Sequence, residues 1–483
     1  MAQAPQHSDR PLVVDLDDTL VTTDIFLEQA MALAKRGVGA ALGMARALAA
    51  GRAEAKRHVA RQSTLDAEGL PYNAPVVAFL KAERARGRRI ILATAADREV
   101  AEPVAAHLGL FDAVLASDET GNLKGARKAE AIAAHLDGQP FDYIGDSPAD
   151  RPIWQAAGQA HVVAADRDKA GALAAGVPVV QVFERPGLTP ASLIKALRLH
   201  QWAKNVLVFV ALLLSHTYGD LERVGAAVIA FIALGLCASG TYLWNDLLDL
   251  ADDRRHPSKR RRPLASGVMT IRQGLVISFG IVALALGLAW VALGPVLVLA
   301  LICYIVLTVS YSLLIKRKMA ADVMLLALLF LFRIYLGGLA IDVPVTDWLL
   351  AFSIFFFLSL GYAKRLADLP PEKRTSAAPI AGRAYTGLDA GAITALGVAS
   401  AFCSVIIMAL YITDETVSAS YAAPQLLWLI CFLLLYWLNR VWLLVYRGLL
   451  DDDPVVFALK DNTSRLCGLV IVLVVVLAKL GVG

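Results

Sequence analysis

Between residues 11 and about 185 the chain alternates short β-branched runs with helical stretches. The runs are PLVVDLD, RRIILAT, DAVLAS, FDYIGD and QAHVVA. Strands alternating with helices predict a parallel sheet with reactive residues at strand C-termini. Between the first two runs, residues 23–75 are Ala-rich and poor in strand formers, which predicts a helical insertion. The segment ERPGLTPAS, 184–192, carries two prolines and a glycine and reads as a linker. From about 203 the pattern changes to long apolar stretches, each long enough, or nearly so, to span the ~30 Å of a bilayer core. Nine are expected, near 203–217, 224–244, 273–293, 295–314, 322–341, 346–363, 388–412, 424–446 and 464–482. The predicted architecture is an α/β, Rossmann-like soluble domain over 1–185 with a helical cap at about 23–75. A linker and amphipathic entry segment follows over 186–200. An all-α polytopic membrane domain of about nine transmembrane helices covers 201–483.

Composition supports that division. Hydrophobic residues make up 57% of the 483 positions and charged residues only 18%, against roughly 25% charged in an ordinary soluble domain. Mean hydropathy is +0.59. Up to residue 185 the chain carries 21 Lys+Arg and 24 Asp+Glu, and beyond it 25 and 18. The excess positive charge falls in short clusters between apolar stretches, which fits a membrane surface or anionic substrates and not nucleic acid. One set of loops holds Arg254, Arg255, Lys259–Arg262, Arg272, Lys316–Lys318, Lys364, Arg365, Lys373, Arg374, Arg383, Arg447, Lys460 and Arg465. The opposite set has little beyond Arg223 and Lys479. The asymmetry predicts a bacterial inner-membrane protein with these loops and the soluble domain on the cytoplasmic side, and the C-terminus outside. The first 20 residues lack the pattern of a signal peptide, in keeping with that placement. The five cysteines lie in or beside apolar stretches without CxxC spacing, and read as small buried hydrophobes.

The first strand ends VVDLDDTL. Asp15 and Asp17 are two apart and share one side of an extended chain, a pairing that suits a hard cation such as Mg²⁺. Thr94 ends ILAT, Lys128 follows in NLKGARKAEAI, and Asp146 and Asp150 lie in YIGDSPAD. These four pieces, in order, resemble the haloacid dehalogenase superfamily of phosphohydrolases. The resemblance implies that Asp15 is the nucleophile and Asp17 the general acid/base. Thr94 and Lys128 would bind the transferring phosphoryl group, with Lys124 a rival for the lysine. Asp146 would hold Mg²⁺ near Asp15 and Asp17, and Asp150 would support the metal or the lysine. The basic stretch GRAEAKRHVARQ of the cap is either a solvated helix face or a surface toward an anionic substrate.

The membrane part contains TYLWNDLLDLADDRRHPSKRRRPLASG. On a helix, Asp246, Asp249 and Asp253 fall within one ~60° sector, bordered by Asn245. Carboxylates crowded at a membrane helix end repel one another, and a divalent cation with a phosphate-bearing ligand would relieve this. Lys259 and Arg262 follow, suited to phosphate oxygens. The string NDxxDxxxD…HPxKRxRPxxxG resembles the UbiA superfamily of intramembrane prenyltransferases. Members commonly carry a second aspartate-rich motif, whereas the matching region here, YSLLIKRKMAADV, has Asp322 alone. That departure is similar to the branch making polyprenyl-phosphoryl phosphoribose from phosphoribosyl diphosphate and a polyprenyl phosphate. Lys204, Arg333, Lys364 and Arg365 are further candidates for binding the anionic substrates. A structural pairing of Arg333 with Asp322 is the bland alternative.

The expected activity is bifunctional and uses Mg²⁺ in both domains. The membrane domain transfers 5-phosphoribose to the lipid phosphate, and the soluble domain then removes the 5-phosphate. An aromatic prenyltransferase with an unrelated phosphatase is the first alternative. A transport or lipid-binding protein with an inactive soluble domain is the second. A homo-oligomer is compatible with the sequence.

Overall fold

The computed structural model describes residues 9–63, 66–118, 121–174, 176–185, 187–378, 383–450 and 454–481. The chain divides into two compact units, one of Met1–Leu197 with Tyr242–Ser278, the other of Arg198–Thr241 with Phe279–Gly483. The first unit therefore holds, besides the soluble domain, the segment carrying Asp246, Asp249 and Asp253.

Its centre is a six-stranded parallel sheet. The strands are β1 (Leu12–Val14), β2 (Ile90–Asp97), β3 (Ala113–Ser117), β4 (Asp142–Gly145), β5 (Gln159–Ala164) and β6 (Val179–Glu184), in the order β3-β2-β1-β4-β5-β6. Five match the apolar runs of the sequence. The sixth, VVQVFE, is an edge strand of mixed polarity and gives a weaker signal. β1 is buried along its whole length and pairs with β2 on one side and β4 on the other. Its C-terminus is thus where strand order reverses, the usual place for a ligand in a doubly wound sheet. The insertion after β1 is helical as expected, with helices Ile25–Ala34, Val38–Ala50 and Arg52–Gln62. An antiparallel bridge between Val21 and Tyr72 ties its entry to its exit.

The second unit is a helical bundle. Over the described residues, eight helices are long and apolar enough to cross a membrane, from Leu221–Leu248 to Asn462–Leu480. The first expected span, 203–217, falls on Leu199–Phe209, wound as a tighter 3-10 helix, and on the α-helical Val210–Leu214, so it is not one regular helix. The core gathers Phe330, Phe357, Leu360, Trp437, Val441 and Trp442. Two indole N–H groups donate to serines of other helices, Trp442 to Ser359 Oγ at 3.0 Å and Trp437 to Ser464 Oγ at 2.8 Å. In hydrocarbon such donors have no water to turn to, so these bonds fix which helix faces meet. Helices Ile271–Leu293 and Pro295–Ile315 bury only 17% of their apolar windows within the protein. Their side chains, among them Leu284, Val291 and Leu299, are left for lipid.

Small residues permit the closest approach. A Cβ on Gly337 would lie 2.0 Å from the carbonyl oxygen of Val208. Backbone cannot yield as a flexible side chain can, and overpacking alone costs about 1–3 kcal/mol. Gly337→Leu is expected to lower the thermal unfolding midpoint of the detergent-solubilised protein. Gly391→Leu, where a Cβ meets nothing within 4 Å, is expected to leave it nearly unchanged. Equal midpoints for the two variants would contradict this packing.

Candidate active sites

At the end of β1 the chain makes a wide turn, with Leu20 N bonded to Asp15 O and Val21 N to Leu16 O. Asp18 takes φ +57°, which is uncommon for a non-glycine residue. Arg185 holds the turn, bonding Asp18 Oδ1 at 2.9 Å and the carbonyls of Asp18 and Thr22. Asp15 and Asp17 thereby line one cavity of about 1030 Å³ with Lys128, Asp146 and Asp150.

Lys128 Nζ stands 3.0 Å from Asp15 Oδ1, 3.7 Å from Asp150 Oδ1 and 3.1 Å from the Tyr143 hydroxyl. Lys124 also lines the cavity, but it is exposed, and Lys128 is the lysine set against Asp15. Asp150 is committed to its surroundings. One oxygen accepts from Tyr143 at 2.9 Å, the other from the amides of Asp146 and Ser147 and from Ser147 Oγ. A side chain on Gly145 would place its Cβ 2.8 Å from that second oxygen, which accounts for the glycine before Asp146. Thr94 is fully buried in β2, its Oγ1 accepting from Ala96 N. Ala95, Ala96 and Asp97 present that strand end to the cavity.

Asp15, Asp146 and Asp150 each offer an oxygen within 4.8 Å of the others. Burial pushes Asp15 up to about 6, against the pull of Lys128. Burial and the charges of Asp15 and Asp150 push Asp146 well above the usual carboxylate range. Burial opposes the charge on Lys128, but Asp15 and Asp150 hold its pKa above the ordinary value. Crowded, desolvated carboxylates of this kind fit a divalent cation, with Asp15 and Asp146 the oxygens free to hold it. Asp17 accepts from Ile25 N at 2.9 Å and is pushed up to about 7, by burial first and by the charge of Asp24 next.

The sequence left the basic cap stretch open between a solvated face and a surface toward an anionic substrate, and two of its residues reach this cavity, whereas Tyr143 was not singled out. Lys56, from the basic cap stretch, donates to Ala95 O at 2.9 Å and lines the cavity beside Arg57. Tyr143 bridges Lys128 and Asp150 from the strand that delivers Asp146. Its position two residues before Gly145 was the available signal.

The acidic segment of the same unit is not one unbroken helix. Helix Leu221–Leu248 gives way at Asp249 (φ −94°, ψ 10°) to Leu250–Arg255. The backbone bonds Asp249 N–Asn245 O and Asp253 N–Asp249 O carry the ladder across. Arg262 Nη1 lies 3.0 Å from Asp246 Oδ1 and 2.5 Å from Asp253 Oδ2. Lys35, from the cap, lies 2.8 Å from Asp249 Oδ1 and 2.7 Å from Asp252 Oδ2. The carboxylates are thus neutralised by two of the chain's own cations, Lys35 being one the sequence did not flag. Asn245 is half-buried beside them and Lys259 is exposed.

In the second unit Asp322 and Arg365 are both fully buried and 2.6 Å apart. Tyr385 donates to the other oxygen of Asp322 at 2.7 Å, and Arg365 also reaches Asp368 and the Tyr311 hydroxyl. Arg333 is therefore not the partner of Asp322. Its guanidinium bonds Asn205 Oδ1, Leu329 O and the Tyr304 hydroxyl, none of them an anion. Lys204 is buried too, its ammonium 5.9 Å from the Phe330 ring centre, and Arg333 packs on the same ring. The buried Asn205 Nδ2 has no hydrogen-bond partner. Lys364 is half-buried at the end of helix Asp347–Ala367.

Asp17 has the pKa of a general acid that works near neutrality, and the profile of kcat/KM against pH reports the free enzyme. For a soluble phosphate monoester, activity is expected to fall above the pH at which Asp17 loses its proton. Asp24→Asn removes a like charge, lowers that pKa and moves the alkaline limb to lower pH. Lys56→Met removes an attractive charge and moves it to higher pH. A limb unmoved in both variants would exclude Asp17 as its source.

A model of the UbiA prenyltransferase family matches residues 206–460, and one of haloacid dehalogenase-like hydrolases matches 12–155. An uncharacterised protein of Sinorhizobium fredii is 34% identical over 470 residues, 97% of this chain and 91% of that one. Nodulation protein NoeC of Azorhizobium caulinodans is 32% identical over 273 residues, 56% of this chain and 88% of NoeC. Decaprenyl-phosphate phosphoribosyltransferase of Mycobacterium tuberculosis is 33% identical over 201 residues, 41% of this chain and 66% of that enzyme. The chain belongs to the UbiA prenyltransferase family and joins to that membrane transferase a haloacid dehalogenase-like phosphatase domain.

Proposed function

We propose that the chain catalyses two successive steps at the cytoplasmic face of a bacterial inner membrane. The membrane domain transfers 5-phosphoribose from phosphoribosyl diphosphate to a polyprenyl phosphate. The soluble domain then hydrolyses the 5-phosphate, leaving polyprenyl-phosphoryl ribose. The observation that carries the first step is the commitment of Asp322 to Arg365 and Tyr385. That pairing leaves the Asp246, Asp249 and Asp253 motif, itself paired with Arg262 and Lys35, as the acidic set assigned to a metal-bound diphosphate. The buried cations Lys204 and Arg333 suit a phosphate group better than an aromatic acceptor. The phosphoribosyltransferase relatives carry the same expectation in their name.

In the transfer, an oxygen of the lipid phosphate attacks ribosyl C1, the C1–O bond to diphosphate breaks, and diphosphate departs. Phosphate is nucleophilic without a base, so the chain's task is placement and charge neutralisation. Asp246, Asp249 and Asp253, with Asn245 beside them, face the diphosphate. For them to do so, Arg262 and Lys35 exchange carboxylate oxygens for ligand oxygens. Lys259, Lys204, Arg333, Lys364 and Arg365 supply or support the positive surroundings of the two anionic substrates. In the hydrolysis, Asp15 attacks phosphorus while Lys128 and Thr94 steady the phosphoryl oxygens. The ester oxygen leaves with a proton from Asp17. Water then attacks the aspartyl phosphate, returns its proton to Asp17 and releases phosphate. Mg²⁺, held by Asp15 and Asp146 in one domain and by the Asp246 motif in the other, would offset phosphate charge during both steps.

Purified full-length protein with Mg²⁺, phosphoribosyl diphosphate and a polyprenyl phosphate is expected to give a ribosylated lipid, identified by mass. Arg333→Gln is expected to slow formation at least about tenfold, as loss of a charged hydrogen bond of ~1.5–3 kcal/mol requires. A prenylated aromatic product from an isoprenoid diphosphate, with no ribosylated lipid, would overturn the reading.

A further inference from the structure

The phosphatase cavity is closed on one side by residues that do not belong to the sheet or the cap. Arg272, Leu275 and Val276 line it together with Phe26 and Leu27 of the cap. They come from the first two turns of helix Ile271–Leu293, a 23-residue apolar helix long enough to cross a membrane. Spaced i, i+3 and i+4, the three side chains share one helix face. Arg272 comes first, 2.5 Å from Asp24 Oδ2, and the apolar pair follows along the helix. Val276 is 72% exposed, so its packing within the protein does not require a large hydrophobe there.

Asp15, Asp17, Lys128 and Asp146 gather in the cavity where β1 and β4 end, Lys128 reaching in from helix Ala126–His135. Lys56, Arg57 and Lys124 are further cations of its wall. A soluble sugar phosphate would need only the strand ends. The remaining features match a longer amphiphile: a phosphate monoester, then a second anionic group, then a hydrocarbon chain.

We propose that the first two turns of helix Ile271–Leu293 select the phosphatase substrate, admitting a lipid-linked phosphodiester whose far end carries the monoester. Arg272 meets the diester charge, exchanging Asp24 for it, and Leu275 and Val276 guide the first isoprenoid carbons toward the bilayer. This rests on the two-step reading above and names the residues that choose its second substrate. The bond broken remains the ester P–O bond, with water as co-reactant and phosphate as product.

The test uses the full-length protein in lipid nanodiscs and two substrates with the same reacting end, polyprenyl-phosphoryl ribose 5-phosphate and free ribose 5-phosphate. The quantity read is the ratio of their kcat/KM values. Wild type is expected to favour the lipid-linked substrate at least a hundredfold. The triple variant Arg272→Gln/Leu275→Ser/Val276→Ser is expected to lower the ratio at least tenfold, chiefly through KM for the lipid. Val276→Asp alone, at an exposed position, is expected to lower it in the same direction and guards against misfolding of the triple variant. A ratio within twofold of wild type in both variants overturns the inference while leaving the two-step reading intact. If wild type hydrolyses ribose 5-phosphate but not the lipid-linked ester, the two-step reading itself fails, and this inference with it.

Discussion

Carboxylates removed from water must be paired or protonated, and this chain removes many of them. At Asp15 and Asp146 burial first, and the neighbouring carboxylate charges next, push the carboxyls up. Lys128 offsets part of that repulsion and Tyr143 spreads it into the sheet. Around Asp246, Asp249, Asp252 and Asp253 the same need is met by Arg262 and Lys35. Asp322 meets it with Arg365 on one oxygen and Tyr385 on the other. Around Asp15, Asp17 and Asp146 the internal pairing still leaves carboxyls held above the usual carboxylate range. A carboxylate set that still repels after its internal pairing has a use for a cation, and a fully satisfied one does not.

The fold puts these groups where substrate chemistry needs them. Parallel strands end together at the reversal of strand order, so the nucleophile of β1 and the acids after β4 share one cavity. The compact unit that carries this cavity extends to Tyr242–Ser278. It therefore contains the acidic motif of the transferase as well as the phosphatase residues. Lys35 on Asp249, Glu28 on Arg254 and Asp24 on Arg272 bind the cap to that segment by charge.

Much of this was legible in the sequence. Five of six strands announced themselves as β-branched runs, and Asp15, Thr94 and Asp146, three of the candidate pieces, stood at or near their ends. The membrane helices were legible because hydrocarbon demands length and apolarity above all. The change from a 3-10 to an α-helical course at Phe209–Val210 was not, since no proline or glycine marks it. The break at Asp249 was equally silent, because the spacing of the aspartates is helical on both sides of it. Lys35 and Arg185 act across more than a hundred positions, on Asp249 and Asp18, and nothing local distinguishes them from surface residues. The pairing of Arg365 with Asp322 was invisible for the same reason. From sequence alone, only Arg333 stood as a structural partner for Asp322.

The central claim is that one chain makes a lipid-linked 5-phosphate and then removes it. Asn is nearly isosteric with Asp but cannot carry the phosphoryl group, so Asp15→Asn separates the two steps. Supplied with Mg²⁺, phosphoribosyl diphosphate and polyprenyl phosphate, this variant should accumulate a lipid heavier than the wild-type product by one phosphoryl group. Mass spectrometry of the extracted lipid decides between the two. If the variant and the wild type yield the same lipid, whether phosphorylated or not, the soluble domain does not perform the second step.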